Sequence, residues 1–386
     1  MRITLGVLVL GAMALVVGCS GDDEGTTRRP GGNTSSSGGP DDPGGPQTPG
    51  PTGTASAAVT ACEAVAAPKQ LSDAKAAGEL RIAGTGVFFR SGTNVERILK
   101  DGNGKKTVFT SPNLVRMFAD RKGLLLVEQT NEGNPNAILR GYAANQIEDD
   151  GDPETPPPPE PAFPEFPVAE GEDPGGTTAA TNFNAISATV FGADAKSYYA
   201  LAEDNNGGNA ILIAIDRTAL TQTTIVSTDK EIKNPILANN TIFWVEDTQR
   251  IKKITLATEE QPQGQATEIF GLGDCNLAVS ESLAYCSVGA TIETRDLEGK
   301  NAKTVFGVDK SKSTSPFGVA EFFGDKLYVR SASPDAEVQH FIRSIAPDGS
   351  DESFVACKRT AIRDLTSDGT DVVWADDTGV FMVAKK

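Results

Sequence analysis

One histidine in 386 residues is the most restrictive shortage in this chain. It excludes every site that needs two imidazoles, including the His-rich zinc and di-iron centres and most protein-bound haems. Positive charge is also short: 35 Lys and Arg stand against 52 Asp and Glu, a net charge of −17, which argues against a nucleic-acid partner. Long apolar runs are missing apart from Ile3 to Val17, which is short for a membrane span. G-x-S-x-G, Walker A, HExxH and CxxC do not occur, so the common hydrolase, nucleotide and zinc signatures are absent. What is plentiful is turn chemistry, with 40 Gly and 23 Pro, the mark of turn-rich β structure or low-complexity segments.

Both kinds of segment are present. Residues 1–18, MRITLGVLVLGAMALVVG, combine one positive charge at Arg2, the apolar run and a small residue at Gly18, the form of a secretory signal. The acids Asp22, Asp23 and Glu24 that follow are not a cationic stop-transfer flank. Val16-Val17-Gly18-Cys19 resembles the lipobox of bacterial lipoproteins. That resemblance implies cleavage before Cys19, which receives a diacylglycerol on sulfur and an acyl chain on its new amine. Each buried methylene contributes about 0.8 kcal/mol, and two chains already give stable anchoring. Ser20, rather than Asp, after the lipidated cysteine implies the outer membrane under the enterobacterial sorting pattern. The expected location is therefore the cell envelope, on the periplasmic face or the cell surface.

Residues 19–58 hold almost no large apolar side chain and cannot bury enough surface to offset the entropy of ordering. They read as a disordered Gly/Pro/Ser-rich tether of roughly 30–40 Å end to end. A second biased segment, within 148–177, carries ten acids between Glu148 and Asp173, no Lys or Arg, and the run Pro156 to Pro159. It reads as an extended, self-repelling insert. The insert supplies −10 and residues 19–58 supply −3, so the remaining body, 59–386, is only weakly acidic.

In that body an eleven-residue pattern recurs. ELRIAGTGVFF (79–89), NPILANNTIFW (234–244), NLAVSESLAYC (276–286) and DLTSDGTDVVW (364–374) align without gaps, and 116–126, 190–200 and 319–329 fit more loosely. The tenth positions are Phe88, Leu125, Tyr199, Phe243, Tyr285, Tyr328 and Val373, at intervals of 37, 74, 44, 42, 43 and 45 residues; the 74 contains the acidic insert. A period in the low forties built from short β signals predicts a propeller with four strands per blade. Third strands read as 95–102, 250–256 and 340–349, and the fourth strands DGNGKKTVF (101–109) and EGKNAKTVF (298–306) are nearly identical. Asp101-Gly102, Glu298-Gly299 and Asp348-Gly349 supply the turn between them. The seventh copy ends one strand short, and the orphan APKQLSDA (67–74) resembles a fourth strand. The expected fold is all-β: a seven-bladed β-propeller of four-stranded blades, closed by an N-terminal strand, behind the disordered tether.

The aromatic strands VVWADD and IFWVED resemble the YWTD and TolB-like propeller repeats of extracellular and periplasmic proteins. The copies lack a consistent Tyr-Trp-Thr-Asp core, so no ligand of that class carries over. The Gly-His and Trp-Asp pairs of WD40 repeats are missing, and Trp244 and Trp374 alone do not make the tryptophan motif of quinone-dependent dehydrogenases.

Five cysteines leave four once Cys19 is lipidated, an even number in an exported chain. Cys275 and Cys286 flank a hairpin and should pair; Cys62 with Cys357 then follows by elimination. Ser72-Asp73-Ala74-Lys75 matches S-x-x-K without SDN or KTG, and reads as a strand end. His340 reads as a half-buried strand residue, and Asp149, Asp150 and Asp152 as solvated rather than calcium-binding. The first column of the repeat is Glu79, Arg116, Val190, Asn234, Asn276, Val319 and Asp364. Its five polar members, Glu79, Arg116, Asn234, Asn276 and Asp364, should ring the mouth of the central channel. Either a solvated channel tolerates them, or they bind a polar ligand or cation. No cofactor and no resident metal are expected. The reading is an envelope-anchored binding or scaffolding module for a protein, peptide or glycan, without catalysis. The alternative is a lactonase-like propeller hydrolase or lyase using a channel cation.

Overall fold

In a computed structural model the described residues are 65–384, except 66, 76, 130–136, 144–176, 182–187, 205–207, 248–249, 259–261, 272–274, 289–290, 308–319, 324 and 333–339. Cys19, the tether, Cys62, Val319 and the acidic insert lie outside them.

Among the described residues, 28 strands form seven antiparallel four-stranded sheets. The first strand, β1 (Lys69–Ser72), stands apart in sequence. Blade 1 holds β2 (Gly78–Ala83), β3 (Gly86–Ser91), β4 (Asn94–Leu99) and β5 (Lys106–Thr110). Blade 2 holds β6 (Leu114–Ala119), β7 (Gly123–Gln129), β8 (Ala137–Ala143) and β9 (Thr177–Thr181). Blade 3 holds β10 (Thr189–Ala193), β11 (Ser197–Glu203), β12 (Ala210–Asp216) and β13 (Gln222–Thr228). Blade 4 holds β14 (Ile232–Ala238), β15 (Thr241–Glu246), β16 (Arg250–Thr255) and β17 (Thr267–Gly271). Blade 5 holds β18 (Asn276–Val279), β19 (Leu283–Val288), β20 (Thr291–Asp296) and β21 (Lys303–Gly307). Blade 6 holds β22 (Ala320–Phe323), β23 (Lys326–Ala332), β24 (His340–Ile345) and β25 (Ser353–Arg359). Blade 7 holds β26 (Asp364–Ser367), β27 (Asp371–Asp376), β28 (Gly379–Ala384) and, as its outer strand, β1. The first strands lie side by side in a closed circuit, β26, β2, β6, β10, β14, β18, β22 and back to β26. The fold is a seven-bladed β-propeller.

Seven hydrophobic clusters fill the seven gaps between consecutive blades. Strand alternation explains how each second strand serves two of them. Its tenth-position residue packs toward the following blade and its eleventh toward the preceding one. Phe88 thus meets blade 2 while Phe89 meets blade 7, and Phe243 meets blade 5 while Trp244 meets blade 3. All seven tenth-position residues are buried.

Closure uses several independent ties. β1 pairs with β28 through Lys69↔Met382, Gln70↔Phe381 and Ser72↔Val380. Between blades 7 and 1, Lys100 forms ion pairs with Asp368 and with Asp371 (2.9 Å), and Lys69 donates to the Asp101 carbonyl. Between blades 6 and 7, Arg359 holds the buried Asp376 at 2.7 Å and lies over the Phe381 ring. Burial pushes the Asp376 carboxyl up, but hydrogen bonds from Thr378 and the Arg359 guanidinium outweigh it and hold the group below its ordinary range.

Cys275 and Cys286 form a disulfide with Cα atoms 5.4 Å apart, joining the start of the inner strand of blade 5 to its neighbour. Cys357 is disulfide-bonded as well, while Cys62 lies outside the described residues. Ser72 ends β1, and its hydroxyl accepts from the Ala74 N–H at 3.2 Å, a strand-end turn where S-x-x-K catalysis would need a helix start. His340 is a half-buried residue of β24, opposite Ala332.

The turns between third and fourth strands dock on the previous blade. Gly299 (φ 79°) and Gly349 (φ 87°) lie so close to the carbonyl oxygens of Ile269 and Val305 that a Cβ would overlap them. Lysines of the previous blade cap the same turns: Lys253 reaches the Leu297 carbonyl and Lys303 the Asp348 carbonyl, each at 2.8 Å. These glycines therefore serve both positive φ and close approach. Gly92 (φ 61°) has open space around it and separates the two effects. Gly92→Ala should cost only the backbone term, about 1–2 kcal/mol, whereas Gly349→Ala adds overpacking and should cost about 3 kcal/mol or more. Urea unfolding of both variants tests the docking, and equal losses would refute it.

Candidate functional site at the channel mouth

The inner strands begin on the face that carries the second-to-third-strand loops and the connections between blades. The sequence-predicted residues Glu79, Arg116, Asn234, Asn276 and Asp364 all sit there, at or near the start of β2, β6, β14, β18 and β26. All five are half-buried. Val190, in the same column, is buried in the apolar cluster between blades 2 and 3.

Most of these polar groups are joined across blade boundaries. Asp364 Oδ2 of blade 7 accepts from the Leu80 N–H of blade 1 at 2.7 Å, and its Oδ1 accepts from Leu365 N at 2.9 Å. Glu79 Oε2 of blade 1 accepts from the Met117 N–H of blade 2 at 3.1 Å. Leu80 and Met117 occupy the same repeat position, so one clasp is used twice. Arg116 Nε donates to Thr189 Oγ1 of blade 3 at 3.5 Å. Asn234 Nδ2 of blade 4 donates to Asn276 Oδ1 and the Cys275 carbonyl of blade 5 at 3.4 and 3.5 Å. The expected ring of polar side chains is thus a set of inter-blade clasps.

Local backbone geometry makes two of these clasps reach. The β2–β3 register skips between Gly78 and Arg81, and the β14–β15 register between Lys233 and Ile236. Glu79 (φ 55°) and Asn234 (φ 47°) occupy these bulges in the left-handed region. Asn tolerates that conformation through its short amide; Glu does so rarely, so at Glu79 the surroundings must hold it. Arg90 Nε donates to Glu79 Oε2 at 2.8 Å, and Arg116 Nε stands 3.6 Å from Oε1. Arg90 was not singled out from the sequence. Its signal was a lone cation directly after the buried pair Phe88-Phe89, opposite Gly78 and so next to Glu79 once the hairpin closes.

Burial pushes the Glu79 carboxyl above its ordinary value, and Arg90, Arg116 and the Met117 N–H pull against that without offsetting it. Both carboxylates of the ring are met by N–H donors. Among the described residues, no group of three or more His, Cys, Asp or Glu side chains is placed to hold a metal ion.

No protein-family model matches the chain, and no curated protein matches it in sequence. Solved structures are similar in fold. A prolyl endopeptidase aligns over 79% of this chain and 47% of its own at 9% identity, with a TM-score of 0.52. This chain therefore spans about half of that enzyme. The β-propeller domain of the trilobed protease from Pyrococcus furiosus aligns over 80% of this chain and 95% of its own (12% identity, TM-score 0.49). BamB from Moraxella catarrhalis aligns over 78% and 82% respectively (7% identity, TM-score 0.42). The likeness is one of fold.

Because the folded chain holds the Glu79 proton more tightly than the unfolded chain, this group's contribution to stability is fully present below the unfolded pKa. It is lost as pH rises through the folded pKa. Glu79→Gln removes the titration, so its stability relative to wild type should increase from acidic to neutral pH. Urea unfolding of both proteins across that range measures the difference, and a flat or falling difference would contradict the desolvated environment.

Proposed function

We propose that the chain is an envelope-anchored lipoprotein, lipidated at Cys19, whose propeller is a non-catalytic binding or scaffolding module for a protein, peptide or glycan partner. The observation that carries this reading is how the mouth residues are used. Asp364 and Glu79 accept hydrogen bonds from the next blade, and Arg116 and Asn234 donate to it. Side chains that would be first candidates for reaction chemistry instead hold the frame rigid. A rigid ring presents loops in fixed relation, which lowers the ordering cost of association.

In this reading the anchor holds the propeller at the outer membrane, and the tether lets it stand clear of the headgroups. A polar ligand at the mouth would meet the half-buried Asn276 and Asn234.

Two measurements test the proposal. Cys19→Ser should abolish acyl labelling and release the chain from the membrane fraction; continued membrane association would remove the anchor. A photoreactive side chain at Asn276 should give a discrete cross-linked species in intact cells. Turnover of lactones or esters by the purified full chain, lost in Glu79→Gln, would overturn the reading in favour of a hydrolase.

A further inference from the structure

A carboxylate that only joins two blades needs little. Asp364 shows the minimum: the backbone N–H groups of Leu80 and Leu365 meet it, and its own backbone stays out of the left-handed region. Glu79 makes the same kind of join between blades 1 and 2 but is furnished differently. Met117 N–H and Arg90 Nε donate to its Oε2 at 3.1 and 2.8 Å, while Arg116 Nε stands 3.6 Å from Oε1. Two guanidinium groups converge on one carboxylate, so positive charge is in excess. The Glu79 backbone, at φ 55°, is also strained, and strain of this kind gathers at ligand clamps and switches.

Neither the two cations nor the strained backbone is needed for a clasp. Both fit a cradle of three donors arranged for a carboxylate, with a side chain of the same chain bent back into it. The cradle reaches solvent at the mouth: 29% of each arginine side chain and 20% of the Glu79 side chain are exposed. The row of polar groups continues to blade 3, where Arg116 Nε reaches the hydroxyl of the exposed Thr189 at 3.5 Å.

We propose that Arg90, Arg116 and the Met117 N–H form a binding site for the carboxylate of a small organic acid, in which Glu79 is the internal occupant. The ligand class follows from that occupant, a single planar carboxylate on a short unbranched stem. An external carboxylate accepts from the same three donors. It therefore replaces the clasp between blades 1 and 2 and lets the Glu79 backbone leave the left-handed region. Exchange is linked to protons. Burial holds the Glu79 carboxyl above its ordinary value, and once protonated it no longer attracts the two guanidinium groups by charge. The external carboxylate competes better as pH falls, and its binding takes up protons. The strands packed against β2 are β3, β6, β26 and β27. Besides Arg90 and Arg116 they bring Asp364, bonded to Leu80 and Leu365, Asp371, paired with Lys100, and Asp376, paired with Arg359. Arg81 of β2 itself donates to the Leu80 carbonyl. This inference rests on the reading of the propeller as a binding module and names a ligand class for its mouth.

The test is titration calorimetry of the full-length chain in detergent with pyruvate, a carboxylate that stays ionised across the range, at constant ionic strength. The wild-type chain should bind more tightly as pH falls from neutral, with heats that vary with the ionisation enthalpy of the buffer, as proton uptake requires. Glu79→Gln should bind at neutral pH at least about fivefold more tightly than wild type, and without pH dependence. Arg90→Gln and Arg116→Gln should each weaken binding at least about tenfold. Arg90→Lys and Arg116→Lys keep the charge but lose the planar fork; they should weaken binding too, and they decide the matter where a Gln variant does not fold. No binding by Glu79→Gln, full binding by the arginine variants, pH-independent binding by wild type, or sulfate bound as tightly as pyruvate would each overturn the inference. Absence of pyruvate binding with the Asn276 cross-link intact refutes this site alone, whereas ester or lactone turnover lost in Glu79→Gln refutes the non-catalytic reading.

Discussion

Everything in this molecule depends on covering both faces of each blade. A four-stranded sheet with Phe88 on one side and Phe89 on the other has no solvent face to spare, so it is stable only between two neighbours. Seven such sheets satisfy one another only if the last meets the first. This makes β1, four residues long and far from the rest of blade 7 in sequence, the piece on which closure depends. The ties that surround it, Lys69 to Asp101, Lys100 to Asp368 and Asp371, and Asp364 to Leu80, bind blade 7 to blade 1, while the join without a covalent link is the β1–β28 pairing inside blade 7.

The same constraint shapes the channel mouth. An inner strand places its side chains toward adjacent blades, so a polar residue there meets a neighbouring backbone before it meets a ligand. Asp364 and Glu79 accept the N–H of the residue just after the equivalent position one blade on, and Val190 replaces the polar clasp by packing. Glu79 shows the cost, with a left-handed backbone and a desolvated carboxylate held by two arginines. Those features organise a frame.

At the rim, the difference between blades comes from irregularity. Bulges, lysines and covering side chains mark six edges, whereas β9 is regular and uncharged. Sevenfold repetition thus gives stability, and departures from it give the blades individual character.

The architecture was legible before any coordinates because its cause is periodic. Strand alternation and turn glycines recur every forty-odd residues, so blade number, the closing role of residues 67–74 and the Cys275–Cys286 bridge could all be read from spacing. The positions of Glu79, Arg116, Asn234, Asn276 and Asp364 at one end of the inner strands followed from the same alignment. Their partners did not, because Met117, Leu80 and Thr189 belong to the next repeat, and Met117 and Leu80 donate through backbone N–H groups that no pattern of side chains distinguishes. Arg359 on Asp376 crosses a blade boundary in the same way, whereas Arg90 meets Glu79 within one hairpin, through a bulge that the repeat pattern does not mark. Periodicity along a chain specifies which residues face out of a sheet, whereas the bonds they make depend on the neighbour that ring closure brings against that face.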